Sequence, residues 1–309
     1  MSAPSAPLPS IAVVIATVHR PDDLVQAVGA TLASRRERVQ VLVIDQSGGD
    51  EIRTRLHAYT ADPRVRVLAM PRRGLSAALN HGAATAGDAD LIAVTGDDCL
   101  VAVDWLEHLT DAFARDPKIG VVFGRVTSAP FDGARGFVPG CAIDGDFTAH
   151  TLGDLDRMTG TTACMAVRRG VWLALGGFDE ALGVGAPLRS GEDLDLALRA
   201  LRMGHAVLQT PHVVVEHQSP VLWSERAEVI RRNWYGTGAA MAKSLKLAGL
   251  PMMLGLLRLV RRWAAGGSGV AATYGVRPDR INMLRGFVSG FMRGLRMSVD
   301  RHGLFERGG

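Results

Sequence analysis

Four carboxylates and one imidazole stand where this sequence could do chemistry. Asp97 and Asp98 follow directly on the apolar run Leu91–Val94. Such a pair suits a hard divalent cation, Mg2+ or Mn2+, bound by one or two carboxylates together with substrate phosphates. The plainer reading is an exposed acidic turn capping the helix expected over Val103–Phe113. Glu192 and Asp193 open another helix, with Ser190 at the cap position and Asp193 three residues on, a capping-box spacing. A carboxylate there serves either as a general base or simply to complement the helix dipole. His217 closes a further apolar run. It is either an ordinary core or surface histidine or the neutral imidazole that completes a carboxylate metal site.

The elements that must position these groups alternate. Apolar runs at Ile11–Ala16, Val39–Ile44, Val65–Met70 and Leu91–Val94 read as strands buried on both faces. Between them, Pro21 with Asp22 and Asp23 starts one helix. Leu75, Ala78, Leu79, Gly82, Ala83 and Ala86 form the clean apolar stripe of another, small enough to pack closely on a sheet. This order predicts βαβ units and a mostly parallel sheet over the first 125 residues. Ligands of such sheets bind beyond the strands' carboxyl ends, which here carry Thr17–Arg20, Asp45, Arg72 with Arg73, and Asp97 with Asp98. Residues 126–189 are Gly-rich and irregular, as expected of a cleft lining; Val213–Val215 reads as a later strand.

Composition narrows the class. The 309 residues are 47% hydrophobic and 21% charged, a globular balance that excludes global disorder and coiled coil. The three cysteines, Cys99, Cys141 and Cys164, lack C-x-x-C spacing, which argues against a disulfide framework or a structural zinc site and suits a cytoplasmic location. Residues 1–9 read as a disordered tail without a signal peptide, and no run reaches the ~18 apolar residues of a spanning helix. Residues 1–225 carry 20 Lys/Arg against 27 Asp/Glu, a net of −7; residues 226–309 carry 15 against 4, a net of +11. A basic tail on an acidic body points to an anionic surface. Within it Leu284, Phe287, Val288, Phe291 and Leu295 make one stripe with Arg285, Arg293 and Arg296 off it. That pattern fits a helix in a membrane interface on the inner face of the cell membrane, or one docked on the main body. Few aromatics and no recognition element argue against nucleic acid. Gly236-Thr237-Gly238 with Lys243-Ser244 fails as a phosphate loop, because alanine precedes Lys243 and no strand feeds it.

Taken in order, these pieces resemble a family-2 glycosyltransferase of the GT-A fold over about residues 10–220. Thr17-Val18-His19-Arg20 resembles the family's first nucleotide-contacting segment, and Val43-Ile44-Asp45-Gln46-Ser47 its V-D-x-S segment. Gly74 to Gly82 is similar to the G-x-x-x-A-x-N-x-G helix that includes Asn80. Thr95-Gly96-Asp97-Asp98 stands at the D-x-D-type position, and Gly176-Gly177-Phe178-Asp179-Glu180 with Gly191-Glu192-Asp193-Leu194-Asp195-Leu196 resembles the acceptor-half pair. Pro211 and His217 match the closing element. Gly96 and Gln46 depart from the pattern, which often has acids at both places.

The resemblance implies an inverting transfer from a nucleotide-diphosphate sugar to an acceptor hydroxyl on a Rossmann-like, mostly parallel sheet flanked by helices. It implies a donor-binding half (10–125) and an acceptor-binding half (126–225), to which the charge division and apolar stripe add a basic amphipathic helical extension (226–309). Thr17, Arg20, Asp45, Arg73, Asn80 and Asp97 are the expected donor contacts, and Asp98, Asp97 and His217 the expected metal ligands. Asp193 is the expected base, with Glu192 beside it. The acceptor expected is a lipid-linked or membrane-proximal glycan or glycolipid. The alternatives are a soluble aglycone and a non-catalytic nucleotide-sugar-binding or membrane scaffold protein.

Overall fold

The computed structural model describes residues 8–34, 38–71, 73–264 and 279–306. Arg72 and the first seven residues of the expected tail lie outside that set. The first half runs β1 (Ile11–Thr17), α1 (Pro21–Leu32), β2 (Val39–Asp45), α2 (Glu51–Arg55), α3 (His57–Thr60), β3 (Val65–Ala69), α4 (Leu75–Ala84) and β4 (Leu91–Gly96). It continues through β5 (Cys99–Val101), α5 (Trp105–Ala114) and β6 (Ile119–Ser128). The expected strand–helix alternation is present, with the helix after Asp98 starting at Trp105 instead of Val103.

Next come β7 (Gly136–Phe137), β8 (Phe147–Ala149), a 3₁₀ turn at Leu152–Arg157, β9 (Cys164–Arg168), α6 (Arg169–Leu175) and α7 (Glu192–Arg202). The chain ends with β10 (Ala206–His217), β11 (Val221–Leu222), α8 (Arg226–Ala248), α9 (Leu250–Ala264) and α10 (Arg280–Arg296). The main sheet has the order β3-β2-β1-β4-β9-β6-β10-β5, with β8 also on β10. Its first four strands are parallel, and β9 enters antiparallel between β4 and β6.

Register sets the site. Thr17 lies opposite Asp45, and Ala16 opposite Gly96, so the polar ends of β1, β2 and β4 share one edge. The strand read as Val213–Val215 is the end of a 12-residue β10. A register shift between Thr210 and Val214 spans Pro211, which has no N–H for the ladder. Beyond that bulge His217 pairs across to Cys99 and Ser128. Helix α4 packs on β1 because Gly82 has no side chain: a Cβ there would sit 2.3 Å from Val14 Cγ1.

The basic tail joins the main body through buried charge. Lys243 of α8 pairs with Asp179 and, at 2.7 Å, with Asp195, whose other oxygen holds Arg199 at 2.8 Å. Arg199 also donates to the carbonyls of Leu175 and Gly177, and the Phe305 N–H donates to Asp179. Two cations and two anions make this cluster neutral, and none of its side chains is more than 2% exposed. A buried set of this kind survives only when every charge is matched. The turn Gly176-Gly177, with φ of 72° and 79°, brings Asp179 into it. Cys99, Cys141 and Cys164 are free and buried.

Candidate active site

Beyond the shared strand edge lies a cavity of about 550 Å³. Thr17, Arg20, Asp97 and Asp98 line it from the strand-edge wall, and Glu192 and Asp193 line it from the start of α7. Those six expected site residues are brought together. Asp45, Arg73, Asn80 and His217 are not on the lining. Asp45 is buried behind it and accepts from the Ser47 N–H. Asn80 clamps Phe178 through both its backbone N–H and its carbonyl, which ties α4 to the turn that carries Asp179. Arg73 reaches Glu180 at 3.4 Å. Gln46 does line the cavity, and its Oε1 accepts from the N–H groups of Arg73 and Gly74. The amide therefore does the loop-holding work of an acid while keeping an N–H₂ group.

On the first wall the Thr17 hydroxyl donates to Asp97 at 2.7 Å. Burial pushes the Asp97 carboxyl up to about 6, with the Thr17 hydrogen bond opposing it and the neighbouring Asp98 adding to it. Asp98 goes the other way: burial raises it, but His217, Ser219 and Arg20 together hold it well below the usual carboxylate range. Arg20 Nη1 is paired with Asp98 and lies 3.8 Å from Asp97. Gly96 explains its own departure from the acidic pattern. A Cβ at that position would lie 2.7 Å from Asp98 Oδ1 and 3.0 Å from Cys99 Sγ. A side chain there would have to displace the Asp98 carboxylate or the Cys99 thiol from its present place.

The donor atoms of Asp98, Cys99 and His217 lie within 4.8 Å of one another. Burial lifts the Cys99 thiol well above its ordinary range, which leaves it a protonated, poor ligand. His217 Nδ1 lies 3.0 Å from the Pro139 carbonyl, and Nε2 lies 3.4 Å from Asp98 Oδ2. A carbonyl on Nδ1 orients the ring, the usual support of a metal-ligating histidine; Nε2–H faces the Asp98 carboxylate, which raises the imidazole against the opposing effect of burial. One carboxylate and one oriented imidazole thus fit a divalent cation.

The α7 wall departs from the expected capping box. The N-cap of α7 is Gly191 at φ 89°, and no side chain caps the helix. Ser190 does not serve because its backbone lies against α8: a Cβ on Gly236 would be 2.0 Å from the Ser190 carbonyl oxygen. A true capping box occurs at Thr151 and Asp154 instead. Asp193 is oriented by the N–H groups of Leu194 at 2.7 Å and Thr162 at 3.3 Å. Glu192 accepts from the Thr162 hydroxyl at 2.9 Å, while its Oε2 is buried with no hydrogen-bond partner among the described residues. Burial, then repulsion from Asp193, pushes the Glu192 carboxyl up to about 7; burial raises Asp193 as well. Two non-glycine residues with positive φ, His19 at 54° and Arg189 at 68°, stand next to the two walls.

Arg232, Asn233, Trp234 and Thr237 of α8 also line the cavity, and sequence reasoning missed them. The charge of Arg232 favours the ionised form of Glu192. The only signal was Gly236-Thr237-Gly238, which is a packing device: Gly236 meets Ser190 and Gly238 meets the Phe287 backbone of α10.

Residues 12–171 match the family model described as Glycosyl transferase family 2. The chain is 28% identical over 240 residues, 72% of its length, to the O-antigen biosynthesis protein RfbC of Myxococcus xanthus. It spans only 18% of that relative. Among solved structures it is similar to the mannosyltransferase PcManGT from Pyrobaculum calidifontis, in complex with GDP-Man and Mn2+. That match has a TM-score of 0.62 at 18% identity, over 93% of this chain and 87% of the other. It is also similar to S. aureus TarS 1-349, with TM-score 0.63 at 12% identity over 93% and 81%. GalNAc-T7 with UDP, GalNAc and Mn2+ aligns at TM-score 0.57 and 16% identity, over 86% and 56%. At these identities the likeness establishes the fold, which is the expected GT-A arrangement.

Proposed function

The chain belongs to glycosyl transferase family 2, and on that premise we propose an inverting transfer of a sugar from a nucleotide diphosphate to an acceptor hydroxyl. The observation that carries the proposal is that both carboxylate groups line one cavity. An oriented Asp193 lines the same cavity as Asp97, Asp98 and Arg20. Nucleotide sugar or nucleotide together with Mn2+ in two similar structures supports the donor class.

Asp193 takes the acceptor proton as that oxygen attacks the anomeric carbon and the bond to the diphosphate breaks. Its two backbone hydrogen bonds aim the carboxylate, and burial makes it a stronger base than an exposed aspartate. Glu192, whose Oε2 has no hydrogen-bond partner among the described residues, orients the acceptor beside it. Thr17 positions Asp97, and Arg20 supplies fixed positive charge for the leaving phosphates. Asp98 and His217, with Asp97 adjacent, would hold a Mg2+ or Mn2+ ion, whose chemistry when bound is to neutralise charge on the departing diphosphate. Asp45, Arg73 and Asn80 act from behind the lining, shaping the donor loop.

Residues 10–125 form the donor half, 126–225 the acceptor half, and 226–309 the extension whose α8 completes the acceptor wall. The acceptor is a lipid-linked or membrane-proximal glycan met from the cytoplasmic side, a reading supported by the O-antigen relative. Asp193→Asn tests the chemistry. It should fold, bind donor as before and lose turnover by on the order of 10²–10⁴. Unchanged turnover would refute the base assignment.

A further inference from the structure

Glycines let helices α9 and α10 seat closely, beside a minority of inward-facing apolar side chains that includes Met252 and Met283. Gly286, Gly290 and Gly294 repeat every fourth residue of α10. A Cβ on each would lie 2.4, 1.8 and 2.7 Å from the carbonyl oxygens of Arg231, Tyr235 and Ala239 in α8. Gly255 of α9 meets the Leu152 carbonyl in the same way, at 2.4 Å. The glycines therefore face inward, and five large apolar residues on each helix face outward. The stripe expected from the sequence is split by this packing. Phe287 and Phe291 turn partly into the core, while Leu284, Val288 and Leu295 join Ile281 and Met292 on an outer stripe, each 37–65% exposed.

Helix α9 repeats the pattern with Leu250, Met253, Leu254, Leu257 and Val260. Ten of the sixteen exposed large hydrophobic residues among the described residues lie on these two helices, a concentration that scattered surface exposure does not produce. Neither helix contains an acid. Arg258, Arg261, Arg285 and Arg293 are exposed on them.

We propose that this outer face docks on a lipid bilayer surface rich in anionic headgroups. The apolar stripes sit at the acyl boundary and the arginines meet the phosphates. Charge decides the occupant. A second copy would bring two arginine-bordered faces together with no acid on either helix to match them, whereas anionic headgroups are complementary. The body, at −7 over residues 1–225, is repelled by the same headgroups, which orients the chain with its +11 tail toward the bilayer. Among the described residues no helix is long and apolar enough to cross it, so the contact is interfacial. Helix α8 links the two functions: one part packs on α10 while Arg232, Trp234 and Thr237 line the cavity. The inference rests on the membrane-proximal acceptor reading, but its test does not pass through catalysis.

The test is sedimentation of the full chain with vesicles of phosphatidylcholine alone and of phosphatidylcholine mixed with phosphatidylglycerol. The chain should sediment with the mixed vesicles only. Leu284→Glu with Val288→Glu should weaken that binding by on the order of 100-fold. Arg285→Glu with Arg293→Glu should weaken it at least about tenfold, and both variants should keep the parent's circular dichroism. Failure of the parent to sediment with the mixed vesicles, or variants that sediment like it, overturns the proposal. So does a parent dimer that Leu284→Glu with Val288→Glu splits, since a second copy would then own the face. A parent that docks yet binds no nucleotide or nucleotide sugar with Mn2+ would leave docking standing and sink the transferase reading instead.

Discussion

The two walls of the cavity are built by opposite means. Thr17, Asp97 and Asp98 project from strands held in parallel register, and each is fixed within a few residues of an apolar run. Glu192 and Asp193 sit on a helix start that no local cap secures. Their place is set from far along the chain. Thr162 holds both carboxylates, Gly236 lies against the Ser190 backbone, and Lys243 is buried between Asp179 and Asp195. A strand edge positions chemistry through register, whereas the acceptor wall needs three remote segments and a neutral charge cluster to do so.

This difference can be broken experimentally. Lys243→Met removes the cation from two buried aspartates and should destabilise the fold by about 3–5 kcal/mol in urea unfolding. A loss under about 1 kcal/mol would show that the acceptor wall does not depend on that cluster. Glu192→Gln comes next, and its sign depends on pH. The folded-state pKa of Glu192 is raised, to about 7, above the ordinary value of 4.5. Its protonation therefore favours the folded state at low pH, and that contribution is lost as pH rises through about 7. The ionised buried carboxyl then costs up to about 3 kcal/mol. Glutamine should accordingly raise Tm near pH 8 and leave it unchanged below the ordinary glutamate range. Equal Tm values at both pH values would contradict the burial reading. Arg232→Ala is the mildest test. It should raise the acceptor KM by about tenfold and leave donor affinity alone, because the charge of Arg232 acts on Glu192 while Arg20 pairs with Asp98.

The same contrast explains what the sequence could reveal. The parallel strands and their polar ends were readable because buried strands are continuous apolar runs and because carboxyl-end residues are local to them. The small-residue stripe of α4 was readable for a similar reason, since Gly82 must meet Val14. The cap at Ser190 was misread because tertiary contact with α8 replaced a local hydrogen bond. Arg232 and Trp234 were invisible because nothing in their own neighbourhood says which face of a 23-residue helix meets the cavity. The apolar stripe of α10 was legible as a stripe, but not its direction. Glycines at 286, 290 and 294 took the inner face by letting backbones approach more closely than any side chain allows.

The most direct test compares the two walls in one calorimetric experiment, titrating UDP, dTDP and GDP with Mn2+ into the parent chain, Asp98→Asn and Asp193→Asn. One nucleotide should bind the parent, bind Asp193→Asn equally well, and lose at least about tenfold in affinity for Asp98→Asn. If Asp193→Asn weakens nucleotide binding while Asp98→Asn does not, the donor and acceptor walls have been assigned the wrong way round.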